Sequence, residues 1–306
     1  MPIFKIHNQK LLPIREKEID LEKDIQKLTE WNLEAVFGIQ FVSTEFALQN
    51  FRIDTLAFNK EANTFVIIEY KRDRSFSAID QGFAYLALML NNKADFILEY
   101  NEKTKGNLKR ENVDWSQSRV LFLAQSFTTY QQNALNFRVL PIELWEVRVF
   151  DNETILYNQL LSPGAKESIK TITKNKTIES VSKEIKVYTL EDHLEKTSEE
   201  SKKLFSLLRE KILSLGEDVK EYPQKYYIAY KTTTNFVDIE LQRQNLKIWL
   251  NVKSGFIQDP RNMADDMTNP PRGHRGNGDY EVKFSTFADL SYLFGLIEQS
   301  YRISKQ

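Results

Sequence analysis

Asp54, Glu69 and Lys71 are the residues whose types and spacing point to chemistry. They fall in Phe51–Lys71, FRIDTLAFNKEANTFVIIEYK, which reads as two strands and a turn. Phe51–Phe58 alternates polar and apolar positions, and Phe65–Tyr70 is nearly continuous apolar sequence that takes in Glu69 near its end. Asn59–Asn63 has the polar composition of a hairpin loop. Alternation along a strand puts Glu69 and Lys71 on one face and Tyr70 on the other. Asp54 precedes Glu69 by 15 residues, a separation at which hairpin partners set their carboxylates side by side. Two such carboxylates repel, the more so when buried. A hard divalent cation, Mg²⁺ or Mn²⁺, removes the conflict by taking both as oxygen ligands. Lys71 would then hold a water or a phosphate oxygen at that ion.

An acidic-x-Lys triplet carries little alone, because the chain also has Glu184/Lys186, Glu200/Lys202, Asp218/Lys220 and Glu281/Lys283. The strongest rival is Glu281/Lys283, itself on an expected strand with Asp265 and Asp266 upstream. Those aspartates are expected in a Pro/Gly/Asn-rich loop and not on a neighbouring strand. Only Glu69 ends a buried-looking strand preceded by a second strand that carries Asp. Phe76–Leu90 then reads as a helix, with Phe76, Ile79, Phe83, Leu86 and Leu90 forming an apolar stripe. Gln81 and Tyr85, four apart, share a different face of it.

Asp54 followed by Glu69-Tyr70-Lys71 resembles the D…ExK core of the PD-(D/E)xK nuclease superfamily, with Ile53 where its signature usually has Pro. The wording RIDTLAF…VIIEYKR is most similar to the RecB-like nuclease domain of NucS-type endonucleases, and Gln81–Tyr85 matches the QxxxY motif that follows ExK there. The resemblance implies a restriction-endonuclease-like α/β domain that binds DNA and hydrolyses its phosphodiesters with Mg²⁺ or Mn²⁺, in repair, restriction or phage defence. It implies that Asp54, Glu69 and the main-chain carbonyl of Tyr70 hold the ion, that Lys71 acts at the phosphate, and that Gln81 and Tyr85 line the site. It also implies a glutamate on the helix before the core sheet. Glu34 in Trp31-Asn32-Leu33-Glu34 is the matching candidate, with Glu45 ranked below it. A homodimer is common where such enzymes cut both strands.

The whole-chain quantities narrow the classes. The 306 residues suffice for one large domain or two ordinary ones, and 41% hydrophobic with 28% charged residues is a globular composition. There is no cysteine, which excludes disulfides and thiolate metal sites and suits a reducing cytoplasm. No apolar run approaches the ~20 residues of a membrane span, and MPIFKIHNQK lacks a signal-peptide core. A net charge of −1 argues against binding by bulk positive charge, though not against a local basic groove around an acidic site. Three histidines in all leave little for a histidine-based metal site.

Along the chain, Pro2–Pro13 is strand-like or irregular, and Ile19–Phe37 reads as one helix stopped by Gly38. Phe41–Leu48 is the first core strand. Strands follow at Asp95–Tyr100 and Arg119–Gln125, a polar loop at Asn101–Trp115, a helix at Thr128–Phe137, and a hairpin of Ile142–Phe150 with Thr154–Leu160. Residues 1–160 therefore form the nuclease-like domain. Residues 161–187 read as a linker, since Ala165–Lys186 has six Lys, three Glu and few large apolar side chains. Residues 188–306 read as a small α+β domain: a helix capped by Thr197 and Glu200, an antiparallel sheet from Lys225–Lys231, Phe236–Leu241, Leu246–Val252 and Tyr280–Phe284, and a helix over Thr286–Ser300. This segment resembles a C-terminal domain family of bacterial proteins sometimes labelled "predicted transport protein". Its loop Gly255–Asp279 offers His274 and Arg275 among glycines as a phosphate or ligand contact, against the plainer reading of a mobile turn.

Two other functions fit these residues. The fold could grip nucleic acid or a protein without cutting, or the C-terminal domain could sense a ligand and regulate the N-terminal one. Retention of Asp54, Glu69 and Lys71 together favours the enzyme.

Overall fold

The computed structural model describes residues 2–17, 22–71, 77–134, 137–138, 140–160, 167–168, 175–273 and 277–305. It divides into two compact units, residues 1–187 and 188–306.

The first unit opens with a hairpin of β1 (Ile3–His7) and β2 (Lys10–Ile14), and β3 (Glu16–Lys17) then joins the main sheet. Helices α1 (Glu22–Trp31) and α2 (Leu33–Phe37) follow. Asn32 divides what the sequence reads as one helix: its φ of −125° leaves the helical region, and its side-chain amide donates to the Leu28 carbonyl at 2.7 Å. Gly38 ends α2 in the left-handed region at φ 68°, where its N–H reaches the Glu34 carbonyl at 3.0 Å.

The meander β4 (Gln40–Leu48), β5 (Phe51–Asn59) and β6 (Thr64–Lys71) is antiparallel. Next come α3 (Ala78–Asn91), α4 (Lys93–Thr104), β7 (Arg119–Ala124), α5 (Thr129–Ala134) and β8 (Phe137–Arg138). Then β9 (Ile142–Phe150) and β10 (Ile155–Leu160) form a hairpin, and β11 (Glu167–Ser168) pairs with β8. The main sheet runs β10-β9-β7-β6-β5-β4, with β6, β7 and β9 parallel. It is thus a mixed sheet with helices on both faces. Phe65 and Ile67 of β6 join Phe83 and Leu86 of α3 in one core, while Val66, Ile68 and Tyr70 join Ile25, Leu33 and Phe37 of α1 and α2 in the other.

Two further segments of this unit differ from the sequence reading. Asp95–Tyr100, expected as a strand, lies within α4, because Phe96 and Tyr100, one helical turn apart, both meet the Phe65 ring (centroids 5.7 and 6.2 Å). The expected linker becomes, over its described second half, α6 (Lys176–Glu184), with Ile178, Val181 and Ile185 buried in the α3-side core. Three apolar residues at helical spacing suffice to seat it despite the surrounding lysines and glutamates.

In the second unit, α7 (Leu190–Leu194) starts at a capping box made by Thr189 and Asp192. Helix α8 (Glu199–Leu213) is capped by Ser198 and not by Thr197. An antiparallel sheet follows: β12 (Lys220–Pro223), β13 (Ile228–Lys231), β14 (Asn235–Leu241), β15 (Leu246–Leu250), β16 (Asp265–Asp266) and β17 (Tyr280–Phe284), ordered β12-β13-β14-β15-β17-β16. Helix α9 (Leu290–Ile303) closes the unit and packs with α8 over one sheet face around Leu208, Ile248 and Leu293. The sequence reading leaves Asp265–Asp266 in a loop; here it is an edge strand with Asp265 opposite Glu281.

Candidate active site

The hairpin of β5 and β6 sets Asp54 and Glu69 together. Thr55 opposes Ile68, so the next pair outward is Asp54 with Glu69. The Asp54 N–H points at Glu69 Oε1 (3.4 Å), and the Tyr70 N–H donates to Asp54 Oδ2 at 3.0 Å. Lys71 Nζ donates to Glu69 Oε2 at 3.1 Å. On its other side Glu69 stands beside Phe122 of β7, fully buried, so no cation comes from that strand.

The electrostatics follow from this placement. Glu69 is 2% exposed. Burial, and then the Asp54 carboxylate, push its pKa from an ordinary 4.5 up to about 7, against the opposing pull of Lys71 and a hydrogen bond from Tyr85. The Tyr85 hydroxyl is itself pushed upward, first by burial and then by the Glu69 charge. Burial and the neighbouring carboxylate thus outweigh the Lys71 charge at Glu69.

Helix α3 brings Gln81 and Tyr85 to this side of the sheet. Ser77 caps its start, accepting from the Asp80 N–H. Gly82 allows the close approach, because a Cβ there would stand 2.6 Å from Ile142 Cδ1. Gln81 Nε2 points at the Tyr85 hydroxyl (3.4 Å), and that hydroxyl points at the Arg52 carbonyl (3.3 Å).

Of the residues singled out from sequence, Asp54, Glu69, Lys71, Gln81 and Tyr85 therefore converge. Glu34 does not join them: it is exposed on α2, whose buried Leu33 and Phe37 pack on the opposite sheet face. The Tyr70 side chain also lies on that opposite face, within reach of Thr55. Glu45 pairs with Arg52. His274 and Arg275 lie outside the described residues.

Sequence reasoning missed Gln26 and Glu30 of α1. Gln26 Nε2 donates to the Asp54 carbonyl at 2.9 Å and contacts Thr44 Oγ1 and Glu30 Oε1 at 3.1 Å each. Thr55 Oγ1 donates to Glu30 Oε1 at 2.5 Å. Helix α1 is thereby fastened to the main chain of Asp54 from behind. The available signal was the four-residue spacing of Gln26 and Glu30 next to buried Ile25 and Thr29. Among the described residues, no group of three or more His, Asp or Glu side chains gathers as a metal cage, and no helix is long and apolar enough to cross a membrane.

Comparison with known proteins adds the following. Residues 190–304 match the family model "Domain of unknown function (DUF5655)". Three solved structures overlap the chain in part. "Structure of EndoMS-dsDNA2 complex" is 19% identical (TM-score 0.27), over 39% of this chain and 43% of that one. "Structure of EndoMS in apo form" is 20% identical (TM-score 0.26), over 41% and 44%. A repair endonuclease from Pyrococcus abyssi is 17% identical (TM-score 0.22), over 40% and 45%. The chain thus spans less than half the length of each, and no activity passes to it from them. A Haemophilus influenzae protein (strain ATCC 51907 / DSM 11121 / KW20 / Rd), described as "Uncharacterized protein", is 45% identical over 303 residues, 99% of this chain and 100% of the relative. With that identity over nearly its whole length, the chain belongs to the same family as the Haemophilus influenzae protein.

Proposed function

We propose that the first unit is a divalent-metal-dependent DNA endonuclease that hydrolyses phosphodiester bonds at Asp54, Glu69 and Lys71. The observation that carries this reading is the placement of Glu69: buried, beside Asp54, and balanced only in part by Lys71. The donor set suits a hard cation. Two carboxylates from adjacent strands, with the Tyr70 main-chain carbonyl implied by the family resemblance, would supply oxygen ligands of the kind such an ion takes.

A bound Mg²⁺ or Mn²⁺ supplies an activated water and positive charge for the phosphate. The chain's own residues do the rest. Asp54 and Glu69 fix where that charge sits. The Lys71 ammonium, anchored on Glu69, holds the attacking water or a phosphate oxygen and offsets the negative charge that grows on phosphorus. Tyr85 and Gln81 hold Glu69 in orientation from the α3 side. Gln26 restrains the Asp54 main chain from behind the sheet.

Plasmid and single-stranded DNA incubated with Mg²⁺ or Mn²⁺ test the reading. On this reading purified wild-type protein should nick them and Lys71→Ala should not. A wild-type protein that cuts neither substrate with either metal leaves the non-cleaving nucleic-acid or protein-binding module in its place.

A further inference from the structure

Arg52 lies two residues before Asp54 on β5, about 7 Å along the strand. Its guanidinium pairs with the Glu45 carboxylate of β4, yet its side chain remains 63% exposed. Its carbonyl is the group at which the Tyr85 hydroxyl points, and Phe51 beside it meets the Tyr85 ring (centroids 5.9 Å), so this stretch of β5 is tied to the side chain that contacts Glu69.

Glu45 is unusual in its own right. Thr44 opposes Thr55 and Phe46 opposes Ile53, so Glu45 stands beside Asp54, in the same row across the sheet as Asp54 and Glu69. Its backbone is left-handed, at φ 54°, a conformation L residues seldom adopt. From there its carboxylate meets Arg52. Lys71 is anchored on buried Glu69, whereas Arg52 is held through an ion pair at the surface. Exposed ion pairs hold weakly, and a guanidinium matches a phosphate through two parallel hydrogen bonds.

We infer that Arg52 is the clamp for a backbone phosphate next to the scissile one, and that Glu45 is its resting counter-ion, displaced when nucleic acid arrives. The inference rests on the nuclease reading and deepens it. It gives a row of acids, which repels a polyanion until metal is present, a cation at its rim. Arg52 binds through charge and shape and takes no part in bond cleavage. Glu45 keeps it in place while the groove is empty.

The test is duplex DNA binding by the full chain in EDTA, measured over a series of salt concentrations, for wild type, Arg52→Gln and Glu45→Gln. Each phosphate contact contributes about 0.9 to the slope of log affinity against log salt. Arg52→Gln should make that slope shallower by about one and weaken binding roughly ten-fold at low salt. Glu45→Gln should tighten binding several-fold at an unchanged melting temperature, because the phosphate no longer competes with a carboxylate. An Arg52→Gln slope equal to that of wild type overturns the clamp while leaving the nuclease reading intact. Should Arg52→Gln fail to fold, Glu45→Gln decides, and unchanged affinity in it overturns the clamp. A wild type that binds neither duplex nor single-stranded DNA at low salt, with or without Mg²⁺, removes both.

Discussion

The chain contains two arrangements with the same letters, Asp54…Glu69-Tyr70-Lys71 in the first unit and Asp265…Glu281-Val282-Lys283 in the second. In both, the aspartate stands on a strand paired with the glutamate's strand. The difference lies in what the neighbouring strand supplies. Beside Glu281, β15 offers Lys247 Nζ at 2.9 Å and Trp249 Nε1 at 3.0 Å, so the buried carboxylate is met by a cation and a donor. Asp265 is exposed and pairs with Arg272, and Lys283 points to solvent. Beside Glu69, the neighbours are Asp54 and Phe122, one charged alike and one apolar. The second arrangement is a satisfied structural ion pair. In the first, burial and the Asp54 charge outweigh the Lys71 ammonium that meets Glu69, and that, not the triplet, is what suits a cation.

The largest expected effect comes from removing the two lysines in parallel. Lys71→Ala should lower the cleavage rate by about 10²–10³-fold, as loss of one preorganised electrostatic donor does, with little change in DNA affinity. Lys283→Ala should leave the rate where it was. Equal losses in the two variants, measured as single-turnover plasmid nicking, would erase the distinction drawn between the triplets.

Stability should respond the other way round. Lys247→Ala leaves Glu281 buried without its cation and should destabilise the second unit by on the order of 3 kcal/mol. Lys71→Ala should cost far less near pH 7, because Glu69, already pushed up to about 7, answers by taking a proton. Chemical denaturation of both variants reads this out, and a Lys71→Ala loss as large as that of Lys247→Ala would contradict it.

The third contrast is with pH. The folded protein holds the Glu69 proton more tightly than the unfolded chain does. The associated stability is therefore complete below about pH 4.5 and is lost as pH rises through about 7. Between those limits it amounts to roughly 2–4 kcal/mol. Glu69→Gln should remove that slope, and saturating Mg²⁺ should suppress it in the wild type. Metal-free melts from pH 5 to 8 that fall in parallel for wild type and Glu69→Gln would show that Glu69 ionises freely.

The same contrast marks what the sequence made legible. The hairpin is readable because alternation and a polar turn fix its register, and with it the pairing of Asp54 and Glu69. The row Glu45–Asp54–Glu69 is not readable, since it depends on pairing with β4 and on a left-handed residue at 45. Glu34 stands exposed on α2 because the helix does not run through Asn32. Glu30, one turn earlier, meets the sheet instead, at Thr55. Asp265 is on a paired strand and not in the loop its composition suggests, and what sets its surroundings apart is Lys247 beside Glu281, which only the register of β15 with β17 reveals. Charge balance around a carboxylate is set by strands distant in sequence, so spacing along the chain cannot report it.

The smallest expected effect is at Tyr85, and it bears on whether the Glu69 side is tuned by its helix as well as by its strand. The hydroxyl has one proton, which a hydrogen bond to Glu69 uses to favour the ionised carboxylate. Its alternative acceptor, the Arg52 carbonyl at 3.3 Å, is long for a strong bond. Tyr85→Phe keeps the ring that packs on Phe51 and deletes only the hydroxyl, so stability should fall by no more than about 1 kcal/mol. The Glu69 carboxyl should then ionise at a still higher pH, by up to about one unit, since one unit corresponds to ~1.4 kcal/mol. The pH at which Mn²⁺ begins to support cleavage should rise with it, while the rate at pH 9 stays within a few-fold of wild type. An unchanged pH profile with a uniformly reduced rate would mean that the hydroxyl meets the substrate instead, and that Glu69 owes its state to burial, Asp54 and Lys71 alone.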